Sequence, residues 1–233
     1  MPELCAIGSL GQFGSARVTQ MGHEVAMPRK RNSDKAMAAI KAEPKTLAAL
    51  NAILAGSEPL VSSGTRAVLG EGPVRAAIAF VGEQPGDAED LEGRPFVGPA
   101  GQLLDRAMSQ AGIERKSSYL TNAVKHFKFE QRGKRRIHQK PTAGEVKHYR
   151  WWLTKELELV QPRLIVALGA TAVLALAGTA LPIMRSRGPA DFKGFRGFIT
   201  VHPSYLLRLR GDDERKDGFQ QFVKDLQSAR ALA

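Results

Sequence analysis

The stretch Val74–Leu104, VRAAIAFVGEQPGDAEDLEGRPFVGPAGQLL, decides the fold. Its apolar run, Ala76 to Val81, stops at Gly82. A segment rich in Gly, Pro and acids follows, and a helical pattern begins near Ala100. The run is short, apolar and bounded by turn residues, so it reads as a buried strand. Open α/β sheets bind their ligands beyond the carboxyl ends of such strands. Gly82-Glu83-Gln84-Pro85-Gly86-Asp87 is therefore expected at the mouth of a site. The two glycines allow positive φ or close backbone approach, and Pro85 stiffens the turn between them. Neither GxGxxG nor GxxxxGK[ST] occurs, which argues against a dinucleotide or Walker-type phosphate site.

Working outward, strand signals recur at Ser118–Val124, Arg163–Leu168 and Phe195–Val201. Helical patterns alternate with them. Ala100–Ala111 puts Leu103, Leu104, Ala107, Met108 and Ala111 on one face. The next helix opens on Thr142 with Glu145 as a capping box and carries Val146, Tyr149, Leu153, Leu157 and Val160. Thr171–Ala177 and Glu214–Ala231 complete the set. The alternation predicts an α/β fold, a three-layer α/β/α sandwich around a four-stranded, mainly parallel sheet. Upstream, Lys45–Ala55 has an amphipathic helical spacing and Gly56–Gly72 reads as loop. Residues 1–44 read as a basic, flexible segment ahead of a single domain at 45–233.

The chain has 233 residues, ample for one α/β domain, and an ordinary apolar share of 43%. Its 34 Lys and Arg outweigh 23 Asp and Glu, giving a net charge of +11. That excess points to a polyanionic partner and leaves nucleic acid and membrane surface both open. Cys5 is the single cysteine, so no intramolecular disulfide or cysteine-based metal site is expected, and a reducing, cytoplasmic setting fits. Leu164–Met184 carries no charge over 21 residues, nominally enough to span a bilayer. Gly169, Gly178 and Pro182 interrupt it. It reads instead as a buried strand turning into a buried helix, with no membrane segment.

A parallel sheet gathers its strand ends on one edge, which brings together Glu83, Gln84, Asn122, His138 and His202. Between Lys125 and Arg150 lie nine Lys or Arg and two acids, with Gly133-Lys134-Arg135-Arg136-Ile137-His138 at the centre. Such a loop either tracks a phosphate backbone or is a solvated surface run. His202, fixed by Pro203, can donate to a developing anion or simply hold a turn. The stretch Tyr205-Leu206-Leu207-Arg208 suits a wedge entering a base stack, or plain helix packing. Asn122 offers one acceptor and two donors, matching a pyrimidine edge. Phe96 can stack on a base or belong to the core.

Together these motifs resemble the uracil-DNA glycosylase superfamily. GEQPGDAEDLEGRPFVGPAGQLLDRA is similar to its first motif and TVHPSYLLR to its second. The likeness runs from about Leu69 to the C-terminus. TNAVKHFKF followed by GKRRIH is similar to the UdgX-like branch, near the family-four enzymes. The resemblance implies that Phe96 stacks on a flipped uracil beside Gly82, that Asn122 reads its edge, and that His202 stabilises charge on its carbonyl. Gln84 stands where many relatives place a water-activating Asp, so hydrolysis should be poor. The role of nucleophile on the sugar C1′, leaving a covalent protein–DNA bond, falls on His138, with Glu83 orienting its imidazole. Lys134, Arg135, Arg136, Ser204, Leu206 and Arg208 are implied DNA contacts, with Arg136 also holding the loop.

Members of that branch hold an iron–sulfur cluster on cysteines. The matching stretches here read Ala55-Gly56-Ser57-Glu58 and Lys147-His148-Tyr149, with His126 alone at a further ligand position. No cluster is therefore expected, and packing by Tyr149, Trp151 and Trp152 is expected in its place. The leading expectation is a monomeric enzyme that excises uracil from DNA and becomes linked to it. A non-cleaving uracil- or abasic-DNA binder and an ordinary hydrolytic uracil-DNA glycosylase are the alternatives, with a generic α/β enzyme acting on a small anion behind them.

Overall fold

A computed structural model describes residues 43–61 and 63–233. Apart from Glu43 and Pro44, the segment expected at 1–44 lies outside the described residues, as does Cys5. The first helix, α1 (Leu47–Ala55), starts at Thr46, whose hydroxyl accepts from the Ala49 N–H. The key stretch then supplies β1 (Ile78–Gly82), a short helix α2 (Asp87–Glu92) and α3 (Pro99–Gln110). All five residues of β1 are buried.

A 3-10 turn (Arg115–Ser117) leads into β2 (Tyr119–Asn122), and β3 (Phe129–Arg132) and β4 (Arg135–His138) follow. Next is α4 (Ala143–Val160), whose capping box of Thr142 and Glu145 forms as expected. The charge-free stretch divides into β5 (Leu164–Leu168), α5 (Ala170–Ala177) and α6 (Ile183–Ser186). No helix among the described residues is long and apolar enough to cross a membrane. The chain ends with β6 (Gly188–Phe192), β7 (Phe195–Thr200), α7 (Pro203–Leu207) and α8 (Asp212–Leu232).

The central sheet has the order β2-β1-β5-β7-β6. β2, β1, β5 and β7 are parallel neighbours, and Gly82 stands in register with Asn122. The sheet thus has five strands, not four. The additional strand, β6, is an antiparallel edge strand with Pro189 in it and only Phe192 fully buried. An edge position tolerates proline and does not demand an apolar run. The second correction concerns the basic loop. It is a β-hairpin outside the main sheet, with Phe129 opposite His138 and Arg132 opposite Arg135. Gly133, at φ 58, and Lys134 form its two-residue turn.

Alternation along β1 divides the core. Ala79 and Val81 join Leu50, Tyr149, Trp152, Leu153, Leu157 and Val173 on one face. Ile78 and Phe80 join Leu104, Met108, Leu206, Phe222 and Leu226 on the other. That is the expected three-layer arrangement. The β2 end is braced from inside the protein. Lys125 and Glu156, 1% and 2% exposed, pair at 2.5 Å, and Thr121 and Tyr119 both donate to the Glu156 carboxylate. Burial beside that carboxylate pushes the Tyr119 phenol far above its ordinary range. A buried charge pair survives only when its remaining bonding capacity is filled, as it is here.

Candidate active site

The carboxyl ends of β1, β2, β5 and β7 open into one cavity of about 930 Å³. Glu83, Gln84, Phe96, Asn122, His138, His202, Ser204 and Arg208 all line it. Gly82, Phe96 and Asn122 are packed tightly. A Cβ on Gly82 would lie 2.4 Å from Asn122 Oδ1 and 2.6 Å from Phe96 Cζ, so only glycine lets the strand end approach both. Asn122 is 3% exposed and Phe96 5%. Phe96 and His202 rings lie 6.4 Å apart at 30°. Two stacking contacts would need about 7 Å, so one planar ring cannot stack on both.

The state of His202 follows from its partners. Its Nδ1 accepts the Ser204 backbone N–H at 3.1 Å. In the neutral ring the proton therefore sits on Nε2, free to donate into the cavity. Burial pushes the imidazole down to about 4, with the Glu83 carboxylate opposing and Arg208 and His138 adding to the fall. At neutral pH this is an uncharged imidazole on the cavity wall.

The hairpin brings His138 to the same cavity. Its Nε2 lies 2.9 Å from Gln84 Nε2 and 3.4 Å from Glu83 Oε1. Gln84 also reaches the carbonyls of Lys128 at 3.2 Å and Gln139 at 3.0 Å, and its Oε1 accepts from the Lys128 N–H. Two amide hydrogens thus face three acceptors. The ring nitrogen has a donor beside it for the neutral state and a carboxylate beside it for a cationic one. Thr171 at the start of α5 donates to Glu83 Oε2 at 2.6 Å and fixes that carboxylate.

Other expected positions divide. Arg136 pairs with Asp87 and Asp90 and lies over the Phe127 and Phe129 rings at 5.5 and 5.1 Å. It fastens the hairpin to α2, with its donors spent inside the protein. Lys134 and Arg135 are exposed at the hairpin tip. Ser204 shares its hydroxyl with His202 Nδ1 and Arg208. Leu206 is corrected: it is 3% exposed and packs in the core between α3 and α8. The exposed apolar residues at the cavity mouth are Tyr205, Leu207 and Met184. Three residues to which the sequence reading assigns no role support the site. Thr171 holds Glu83, Glu89 accepts the N–H groups of Gly86 and Gly98, and Arg115 donates to the Pro95 and Phe96 carbonyls.

The corner holding His126 is closed by hydrogen bonds. The Tyr149 hydroxyl accepts the Leu60 N–H and shares a hydrogen bond of 2.6 Å with His126 Nδ1. Burial lowers His126 to about 4, with Asp90 opposing, and raises Tyr149 to about 12. Among the described residues no group of three or more His, Cys, Asp or Glu is placed to hold a metal ion.

A parallel-sheet edge that offers an aromatic surface, a buried amide and a neutral imidazole donor suits a planar heterocycle whose bond is to be polarised. Residues 69–227 match the family described as UDG, the Uracil DNA glycosylase superfamily. The chain belongs to that superfamily, and the expectation of an enzyme of this class is met. It is 41% identical over 161 residues to a type-4 uracil-DNA glycosylase of Thermotoga maritima, covering 68% of this chain and 80% of that one. It is 36% identical over 174 residues to a type-4 enzyme of Pyrobaculum aerophilum, covering 67% and 83%. A type-5 uracil-DNA glycosylase of the same organism is 31% identical over 153 residues, covering 58% and 64%.

Proposed function

We propose that this protein excises uracil from DNA and keeps the sugar on His138 as a covalent adduct, in the manner of the UdgX-like branch. The observation that carries the reading is the position of His138 Nε2, beside Gln84 and Glu83 and in the cavity of Phe96, Asn122 and His202. The uracil lies on Phe96 with its edge toward Asn122. As the C1′–N1 bond breaks, its electron pair moves onto the base. The His202 Nε2–H donates to the carbonyl oxygen that takes up this charge.

The sugar left behind has oxocarbenium character at C1′. Gln84 is an amide and cannot take a proton from water. The Nε2 lone pair of neutral His138 needs no deprotonation, and it is held at high effective concentration. Attack forms an Nε2–C1′ bond and leaves a positive ring, which Glu83 faces. The ring then loses its Nδ1 proton and the uracil anion gains one from solvent. DNA bearing uracil is the substrate, and Lys134, Arg135 and Arg208 are the exposed cations available to its phosphates.

The reading includes no iron–sulfur cluster. Among the described residues, the corner where the family's ligands would fall offers the imidazoles of His126 and His148 and no thiolate, and the His126 ring is already engaged by Tyr149. Purified protein should be colourless and iron-free; stoichiometric iron would overturn this. A cytoplasmic monomer remains the simplest setting for the enzyme.

A denaturing gel of the protein with a uracil-containing oligonucleotide tests the main claim. A shifted, gel-stable band is expected. His138→Ser should release uracil and leave an abasic site with no shifted band. A surviving adduct in that variant would assign the nucleophile elsewhere. Release without a shift by the unaltered protein would mean ordinary turnover, and neither signal would mean a binder.

A further inference from the structure

The backbone of Phe96 is in the left-handed region, at φ 56. A bulky L-residue rarely adopts that conformation, and one held there at a site is held by its surroundings. The surroundings here are specific. The Phe96 carbonyl is turned under α3, where a Cβ on residue 101 would sit 1.9 Å from its oxygen. Only Gly101 leaves room for it. An oxygen tucked there needs a donor. The donor is Arg115, whose Nη1 reaches the Phe96 carbonyl at 3.3 Å while Nη2 reaches the Pro95 carbonyl at 2.9 Å. Asp105, on α3, fixes the guanidinium at 2.6 Å. Arg115 stands in the turn just before β2, the strand that ends on Asn122. It does not line the cavity.

We propose that Arg115 is a positioning residue. It holds Phe96 in its left-handed conformation and so sets the surface on which uracil stacks, tied to the strand that presents Asn122. This rests on the reading of Phe96 as that surface. A planar fork suits the task because two carbonyls of consecutive residues are captured by one rigid group. Without it, Phe96 relaxes toward an ordinary conformation and its ring leaves the Gly82 face.

A double-mutant cycle with two readouts tests this, namely inhibition by free uracil and single-turnover excision from DNA. Arg115→Met should weaken uracil inhibition and slow excision by about tenfold, with binding to uracil-free DNA within about twofold. In a Phe96→Ala background the same change should add less than about twofold, because the group it positions is gone. Arg115→Lys, retaining one donor, should recover part of the loss. Equal losses in both backgrounds would make Arg115 a general scaffold residue and overturn the proposal. Should Arg115→Met fail to fold, Asp105→Asn, which only frees the guanidinium, enters the same cycle with a smaller shift expected. If Phe96→Ala alone leaves uracil inhibition unchanged, the stacking role of Phe96 fails, and the proposal with it.

Discussion

Asn122 and His138 face one cavity from two kinds of structure. Asn122, 3% exposed, ends β2, a fully buried strand at one edge of the main sheet, one residue beyond the Thr121 that donates to buried Glu156. The side chain of His138 is 49% exposed, on a hairpin that shares no ladder with the main sheet. The base-reading floor is fixed by core packing, which resists small displacements. The hairpin is fixed by a few polar contacts: Arg136 on Asp87 and Asp90, Gln84 on two carbonyls, and Ser63 with the Phe129 backbone. On the proposed reading, recognition of the base and capture of the sugar rest on separate supports, and they should come apart under mutation.

The largest expected effect is on the floor. His202→Ala should slow uracil release and adduct formation together, by about 10²–10³, or about 3–4 kcal/mol in the barrier. Because the active ring is neutral and its pKa is held near 4, excision by the unaltered protein should not fall with a midpoint near 6.5. It should hold from neutral pH down toward 4, where protonation at Nδ1 removes the acceptor for the Ser204 N–H and releases the ring from its place. A loss centred near 6.5 would mean the ring is not desolvated as described. A medium effect is expected at the joint between the two parts. Arg136→Met should cut adduct formation by about tenfold while uracil release stays within about twofold, because only the nucleophile loses its place. Equal losses would show that hairpin and floor act as one body. The smallest effect lies at the hairpin tip. Lys134→Ala with Arg135→Ala should lower the log–log salt dependence of DNA binding by about 2, near one unit per lost phosphate contact. An unchanged slope would mean that the tip does not reach the DNA.

What was legible in the sequence follows the same division. β1 and β5 are buried on both faces and read as unbroken apolar runs. The strand ends they imply locate Gly82, Glu83, Gln84, Asn122 and His202. The hairpin strands FEQR and RRIH are mostly exposed, so no burial pattern marks them, although a two-residue Gly-Lys turn between polar strands was available as a signal. β6 escaped because an edge strand of small residues needs no apolar alternation. Leu206 and Leu207 are adjacent on a five-residue helix, too short for a period to say which one faces inward. Arg115 and Thr171 act through contacts 19 and 88 residues away in sequence, and nothing local announces them; Glu89 joins a local bond to Gly86 with one to Gly98 nine residues on.

Gln84 has a consequence beyond its inability to act as a base. Its amide donates toward Lys128 and Gln139, the residues flanking the two ends of the hairpin. A carboxylate there would turn bare oxygens toward both carbonyls and repel them. An acid at this position would therefore supply a base and unfasten the arm in one step. The same side chain that fastens the hairpin is the one that withholds a base from the cavity, so the two properties cannot be changed separately at this position.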